Sequence, residues 1–243
     1  MEIAGYVKTS LVEWPGKITA VIFVPGCNFR CPFCHNASLV NQAQKITLIP
    51  EKQIFADLEK RKEWVEAVGV TGGEPTLQPD LLSFLAELKK RSFGVMLETN
   101  GSRPEVVEKL KKGNLVDFWA MDLKGDFDDY QRFVGIKDSQ IAEKVKKSFN
   151  LILESKKDFE FRTTVVPSLH TWENLEKLAK QIALMLGRKM MRKNIRWCLQ
   201  QFRPQNTLDP EFLKIVPFTE QEMKSLQARL KKIIPQTLLR VYN

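Results

Sequence analysis

Three of the chain's four cysteines fall within eight residues, in Pro25-Gly26-Cys27-Asn28-Phe29-Arg30-Cys31-Pro32-Phe33-Cys34-His35. Thiolates so close on one loop can converge on a single metal centre, and soft sulfur donors favour zinc, copper(I) or an iron–sulfur cluster. Tetrahedral zinc and a cubane cluster both take four donors, so three cysteines leave one position open to a reactant. Other chemistries also fit parts of the loop. The thiols could be incidental, or a structural zinc site could recruit Cys198, His170 or His35 as its fourth ligand. Cys31-Pro32-Phe33-Cys34 has the spacing of a redox dithiol, which leaves Cys27 without a role. Cys31-Pro32-Phe33-Cys34-His35 matches a haem-attachment pattern, but that modification follows export, and the opening Met1-Glu2-Ile3-Ala4-Gly5 is no signal peptide.

The remaining chemistry-bearing residues are spread along the chain, and each group follows a stretch that reads as a buried strand. Ile18 to Val24 leads into the cysteine loop. Glu66 to Val70 leads into Thr71-Gly72-Gly73-Glu74-Pro75, whose glycines let backbone approach a ligand. Phe93 to Leu97 runs into Glu98-Thr99-Asn100-Gly101, and Val116 to Met121 into Asp122-Leu123-Lys124-Gly125. Phe159 to Val166 carries Arg162 to Thr164 and exits at Pro167-Ser168-Leu169-His170, while Ile195 to Phe202 carries Gln200 and Gln201.

Helical periodicity fills the intervals. Ile54, Phe55 and Leu58 share a face in a helix expected from about Pro50 to Lys62, and Leu81, Phe84, Leu85 and Leu88 share one in the next. Ser102-Arg103-Pro104-Glu105 is expected to be a capping box for a helix ending at Gly113. Ile141, Val145, Phe149 and Ile152 mark another helix, and Thr171 should cap one running through Leu186 to Gly187. Thr219-Glu220-Gln221-Glu222 opens a last helix to about Ile234, and Leu238 to Tyr242 is a possible terminal strand. Residues 1 to about 17 are expected to be a lead-in. Alternating strands and helices imply an α/β fold, a partial (β/α)6 TIM-like barrel of parallel strands with outer helices, open at the side. Chemistry in such barrels collects at the carboxyl ends of the strands, where all these polar groups fall. The whole chain, 1–243, is expected to be a single domain, with six β/α units over about 18–202.

Cys-x3-Cys-x2-Cys with an aromatic before the third cysteine resembles the cluster loop of the radical S-adenosylmethionine (radical SAM) enzymes. Gly72-Gly73-Glu74-Pro75 resembles that family's second motif. The lead-in Gly5-Tyr6, Lys8-Thr9-Ser10-Leu11-Val12-Glu13-Trp14-Pro15-Gly16-Lys17, with the cysteine loop, Gly72 to Gln78 and Met121-Asp122-Leu123-Lys124, is similar to the activating proteins of glycyl radical enzymes. Within that group it most resembles the activators of anaerobic ribonucleoside-triphosphate reductase. The likeness covers residues 5 to 170, and the stretch after Phe202 carries no matching motif. The inserted ferredoxin-like segment of some activators, with its additional cysteines, is absent between Cys34 and Gly72.

The resemblance implies a [4Fe–4S] cluster on Cys27, Cys31 and Cys34, with S-adenosylmethionine (SAM) chelating the fourth iron. It implies one-electron cleavage of SAM to methionine and a 5′-deoxyadenosyl radical, which abstracts hydrogen from a glycine of a partner glycyl radical enzyme. An electron donor such as flavodoxin or ferredoxin is implied with it. SAM contacts are expected from Phe33 beside the adenine, the His35 backbone, Gly72, Gly73 and Glu74. Thr99, Asn100 and Asp122 are expected on the ribose or ammonium, and Lys124 and Arg162 on the carboxylate. Radical SAM chemistry on another peptide or a small molecule, including pyruvate formate-lyase-type activation, is the alternative, as is a metal-binding module without catalysis.

Composition fits this. Apolar residues make up 43% and charged residues 28%, ordinary for a globular chain, and no apolar run approaches a membrane span. Clustered cysteines with one outlier do not form a disulfide framework and point to a reducing cytoplasm. The net charge of +9 reads as solvated helix faces. The densest basic run, Arg188 to Lys193 with Arg196, lacks aromatic interleaving or a recognition motif, so neither a nucleic acid nor a membrane is expected as a partner. His170 is expected to be an ordinary surface or loop histidine and Cys198 a buried apolar residue.

Overall fold

A computed structural model describes residues 1–40, 46–188 and 195–242. Residues 189–193 of the basic run from Arg188 to Lys193 lie outside them. Eight strands form one sheet in sequence order: β1 (Gly5–Ser10), β2 (Thr19–Val24), β3 (Ala67–Gly72), β4 (Gly94–Thr99), β5 (Phe118–Asp122), β6 (Asp158–Val165), β7 (Trp197–Gln201) and β8 (Thr237–Arg240). β2 to β8 are parallel and β1 pairs antiparallel with β2, so β1 and β8 are free edges and the barrel does not close. Helices α1 (Ala37–Val40), α2 (Glu51–Lys60), α3 (Leu81–Lys90), α4 (Pro104–Lys112), α5 (Tyr130–Val134), α6 (Ile141–Glu154), α7 (Trp172–Leu186) and α8 (Glu220–Leu230) lie between consecutive strands from β2 onward. Six β/α units are thus present, and the terminal strand forms.

The strands alternate between two different environments. One set of side chains, among them Val68, Val70, Val95, Leu97, Trp119, Met121, Phe159 and Phe161, packs against the apolar stripes of the helices in the main core. Parallel strands covered in this way read as apolar runs, which is why they were visible in the sequence. The other set faces the concave interior. At its lower end Trp14 packs with Ala67, Met96, Phe118 and Ala120 in a second small cluster, its ring 5.2 Å from that of Phe118. Higher up, Arg162 is buried between Glu160, at 2.6 Å, and Glu98.

Two local expectations are corrected. The lead-in, given no strand from sequence, contains one: Gly5–Ser10 is an edge strand, pinned by Arg61 at the end of α2, which donates to the Lys8 carbonyl at 2.7 Å and to the Tyr6 hydroxyl. Its Val7, Lys8 and Thr9 are exposed, so no apolar run marks it. The capping box at Ser102 does not form either. Helix α4 is entered from Arg103 without a side-chain cap, because the Ser102 side chain is hydrogen-bonded to Asn28 of the cysteine loop, at 2.9 Å. The boxes at Thr171 and Thr219 do form, the first with Asn174 and the second with Glu222.

Candidate metal centre and cofactor pocket

The carboxyl ends of β2 to β7 surround one cavity. Cys27, Cys31 and Cys34 line it together with Phe33, His35, Gly72, Gly73, Glu74, Thr99, Asn100, Asp122 and Lys124. Of the sequence-predicted residues, only Arg162 is not brought to its wall. Its guanidinium is held below by the two glutamates, and Glu98 in turn reaches the cavity and accepts from the Thr71 hydroxyl.

The cysteine loop is held by contacts that do not use its sulfurs. Gly26 N–H donates to the Leu39 carbonyl at 2.8 Å, and Arg30 N–H to Val134 at 2.8 Å. The Asn36 amide donates to the Gly72 carbonyl at 2.8 Å, and Glu74 N–H to the Gly26 carbonyl at 2.7 Å. This last contact explains the paired glycines. Gly72 has φ +118°, in the region that favours glycine, and a Cβ on Gly73 would lie 1.9 Å from the Gly26 oxygen. Two residues of the turn therefore carry no side chain for two separate physical reasons.

Glu74 is buried and works as a staple. One of its oxygens accepts from Thr76 N–H at 3.0 Å, the Thr76 hydroxyl at 2.5 Å and the Thr99 hydroxyl at 2.7 Å, and the other accepts from Asn100 N–H at 2.7 Å. Burial pushes this carboxyl up, while the donors around it pull the other way. Its effect is to lock the turn after β3 onto the turn after β4. Asn100 then reaches the cysteine loop, donating to Asn28 at 3.0 Å and to the Cys27 sulfur at 3.8 Å.

The electrostatics suit thiolate donors. Burial pushes Cys27 up to about 11 and Cys31 up to about 12, and raises Cys34, so ligation must displace their protons. Beside them Lys124 forms an ion pair with Asp122 at 2.6 Å. Burial alone would lower the Lys124 pKa, but Asp122 and the neighbouring cysteines outweigh it and keep the side chain cationic. Among the described residues, no three Cys, His, Asp or Glu side chains focus on a point suited to a single metal ion. Cys27, Cys31 and Cys34 line one cavity together, and a cubane takes its cysteines on separate irons and not on one point.

The fourth zinc ligands weighed from sequence are all committed elsewhere. His35 Nε2 bonds the Arg203 carbonyl at 2.7 Å, with its ring stacked on Phe202. Cys198 is buried on β7 and lies away from the cysteine loop, beside Leu238 to Val241, as an apolar residue would. His170 is the correction: it is no surface histidine but is 1% exposed. Its Nδ1 accepts from Val166 N–H at 3.0 Å and its Nε2 bonds the Lys124 carbonyl at 2.8 Å. Burial pushes its pKa down to about 4, so the ring is a neutral strut beneath Lys124, edge-on to Phe33. Sequence reasoning missed Asn28 and Asn36 as loop tethers, and Thr164 and Gln200 as individual wall residues. Asn28 adjoins Cys27 and Asn36 comes two residues after Cys34, and that proximity was the available signal.

Comparison with known proteins agrees with this geometry. The family model described as the radical SAM superfamily matches residues 21–186. A Methanocaldococcus jannaschii protein provisionally named a glycyl-radical enzyme activating enzyme is 34% identical over 99% of this chain and 96% of its own length. The pyruvate formate-lyase-activating enzyme of Clostridium pasteurianum is 30% identical over 71% of this chain and 72% of its own length. Among solved structures, Streptococcus suis SuiB, crystallised with its precursor peptide SuiA, superposes with a TM-score of 0.66 at 16% identity. That superposition covers 92% of this chain, which spans about half of SuiB (48%), and it speaks for the fold. The chain belongs to the radical SAM superfamily, whose members work with a [4Fe–4S] cluster and S-adenosylmethionine.

Proposed function

We propose that this chain activates a glycyl radical enzyme, with Cys27, Cys31 and Cys34 holding the cluster. The observation that carries the reading is the presence of all three loop cysteines on the wall of one cavity at the mouth of a sheet whose edges do not meet. When bound, the cluster and SAM supply a 5′-deoxyadenosyl radical by one-electron cleavage of the sulfonium S–C5′ bond, and it takes a hydrogen atom from a glycine Cα of the partner. The chain's own residues bind and orient. Lys124, buried and cationic beside Asp122, offers a charge for the SAM carboxylate. The backbone of Gly72 and Gly73 lies bare for the ammonium, with Glu74 fixing the turn. Thr99, Asn100 and Asp122 face the ribose side, and Phe33 and the His35 backbone flank the adenine. Arg162 acts from below, through Glu98. The Asn100 amide and the Phe29 N–H, 3.4 Å from the Cys27 sulfur, would tune the cluster through N–H···S contacts.

The partner is the anaerobic ribonucleoside-triphosphate reductase, supported by the order of motifs from Gly5 to Lys124. Pyruvate formate-lyase-type activation is the second reading, favoured by the Clostridium relative. The electron comes from a flavodoxin or ferredoxin, and the setting is cytoplasmic, consistent with the absence, among the described residues, of any helix long and apolar enough to cross a membrane. Anaerobic reconstitution with iron and sulfide, followed by dithionite and SAM, tests the reading. It should yield 5′-deoxyadenosine, and a glycyl radical signal on added reductase but not on added pyruvate formate-lyase. Zinc without sulfide in the purified protein, or a Cys31→Ala variant that keeps the cluster's visible absorption, would overturn it.

A further inference from the structure

Among the described residues, the polar side chains around the cavity other than the cysteines are, with two exceptions, already engaged. Glu74, Thr99 and Asn100 bond one another, Asp122 pairs with Lys124, and Asn36 holds Gly72. Thr164 on β6 and Gln200 on β7 line the same cavity, yet neither side chain has a hydrogen-bond partner among the described residues. They are register partners on adjacent parallel strands, so they sit side by side and face the same way. Both are half-buried. They stand across the cavity from the turns after β3 and β4.

The charged groups below them pair with one another, with Glu13 close enough to interact with all four. Arg162 is held by Glu98 and Glu160, and Arg240 reaches Glu160 at 3.2 Å. This wall itself therefore offers a hydroxyl and a carboxamide to whatever lies against it. A carboxamide donates and accepts at once, which is the pattern of a peptide unit. A glycine has no side chain to recognise, so its position can be read only through the backbone amides on either side.

We propose that Gln200, assisted by Thr164, holds the peptide backbone next to the target glycine, and so fixes where its Cα lies relative to the SAM side of the cavity. Gln200 is thereby a specificity-determining residue for a peptide substrate, an inference that rests on the activase reading above. The probe is a synthetic decapeptide spanning the radical-bearing glycine of an anaerobic ribonucleotide reductase, fluorescently labelled for binding. Peptide affinity is measured by anisotropy on the reconstituted protein without reductant, SAM affinity by calorimetry, and peptide KM and kcat with dithionite. Gln200→Leu should weaken peptide affinity and raise peptide KM about tenfold (about 1.4 kcal/mol), with SAM affinity unchanged, and Thr164→Val should act in the same direction to a smaller extent. Unchanged peptide affinity in Gln200→Leu would overturn the proposal. So would a matching loss of SAM affinity, which would place the cofactor on this wall. A wild-type protein that binds SAM but never cleaves it would instead bring down the activase reading, because peptide anisotropy is read without turnover.

Discussion

Replacing Gly73 with alanine adds one methyl group at the point where two backbones meet. The added Cβ would lie 1.9 Å from the Gly26 oxygen and 2.5 Å from its carbon, both backbone atoms that cannot rotate away. Ordinary contact begins near 3.4 Å, so the turn after β3 and the cysteine loop must separate by about 1.5 Å. That movement breaks the Glu74 N–H bond to Gly26 at 2.7 Å and strains the Gly73 N–H bond to Val24 at 2.8 Å. Losing one such bond and leaving its donor unsatisfied costs about 1–3 kcal/mol, and overpacking adds about 1–3 kcal/mol. The total is about 3 kcal/mol or more, or a fall in Tm of roughly 6–12 °C for a chain of this size. The same separation moves Cys27, next to Gly26, so iron and sulfide loading should fall with it. Gly69→Ala is the control. It lies on β3, the strand leading into this turn, but its Cβ would meet the Met96 sulfur and a Thr19 methyl at 3.7 Å, an ordinary contact, so its Tm should shift by no more than about 2 °C. Calorimetry and iron–sulfide analysis on both variants decide the matter. A Gly73→Ala protein with wild-type Tm and full loading would refute the steric account of the turn.

Two further perturbations test the layers beneath the cavity. His170 is neutral in the fold with its pKa pushed down to about 4, so between the ordinary value near 6.5 and that value the unfolded chain binds a proton the fold does not. Stability should therefore drop as pH falls through this window, by up to about 3 kcal/mol, and urea denaturation of His170→Gln should show a shallower pH dependence. Arg162→Met leaves Glu98 and Glu160 without the cation between them, which costs about 3–5 kcal/mol by analogy with other broken buried pairs. Adding Glu98→Gln should restore part of that loss in the same denaturation assay, and no recovery would mean the two side chains are not energetically coupled.

The sequence was most readable where the governing interactions are local. The β2 to β5 strands read as apolar runs because helices cover one face and the packed interior the other, and the cysteines and Gly72-Gly73 are adjacent in the chain. What it hid depends on pairing across many residues. β1 is an exposed edge held by Arg61, more than fifty residues away, so its own composition carries no strand signal. Ser102 has the spacing of a cap, but Asn28 captures its hydroxyl. His170 looked solvated because its partners, Val166 N–H and the Lys124 carbonyl, are backbone atoms, which leave no mark in side-chain identity. Arg162 was expected at the cavity because a cation at a strand's upper end suits a carboxylate. Strand alternation puts it on the concave face, where Glu160 and Glu98 claim it first.

The arrangement of tethers also bears on what ligation has to accomplish. Gly26, Asn28, Arg30, Pro32, His35 and Asn36 are hydrogen-bonded between them to five parts of the chain: α1, the turns after β3 and β4, α5 and the segment after β7. The last is the stretch without a recognisable motif, and it closes over the loop through Arg203 and Asp209, whose N–H donates to the Pro32 carbonyl at 3.0 Å. Since none of these bonds uses a cysteine sulfur, the path of the loop is set by the fold, unlike a small metallo-domain in which ligation supplies the folding energy. Binding energy at the three thiols is then free to act on the cofactor, which is the condition for a preorganised site. It also means that a change in any of the anchoring elements reaches the thiols mechanically, through a backbone bond, without touching a ligand.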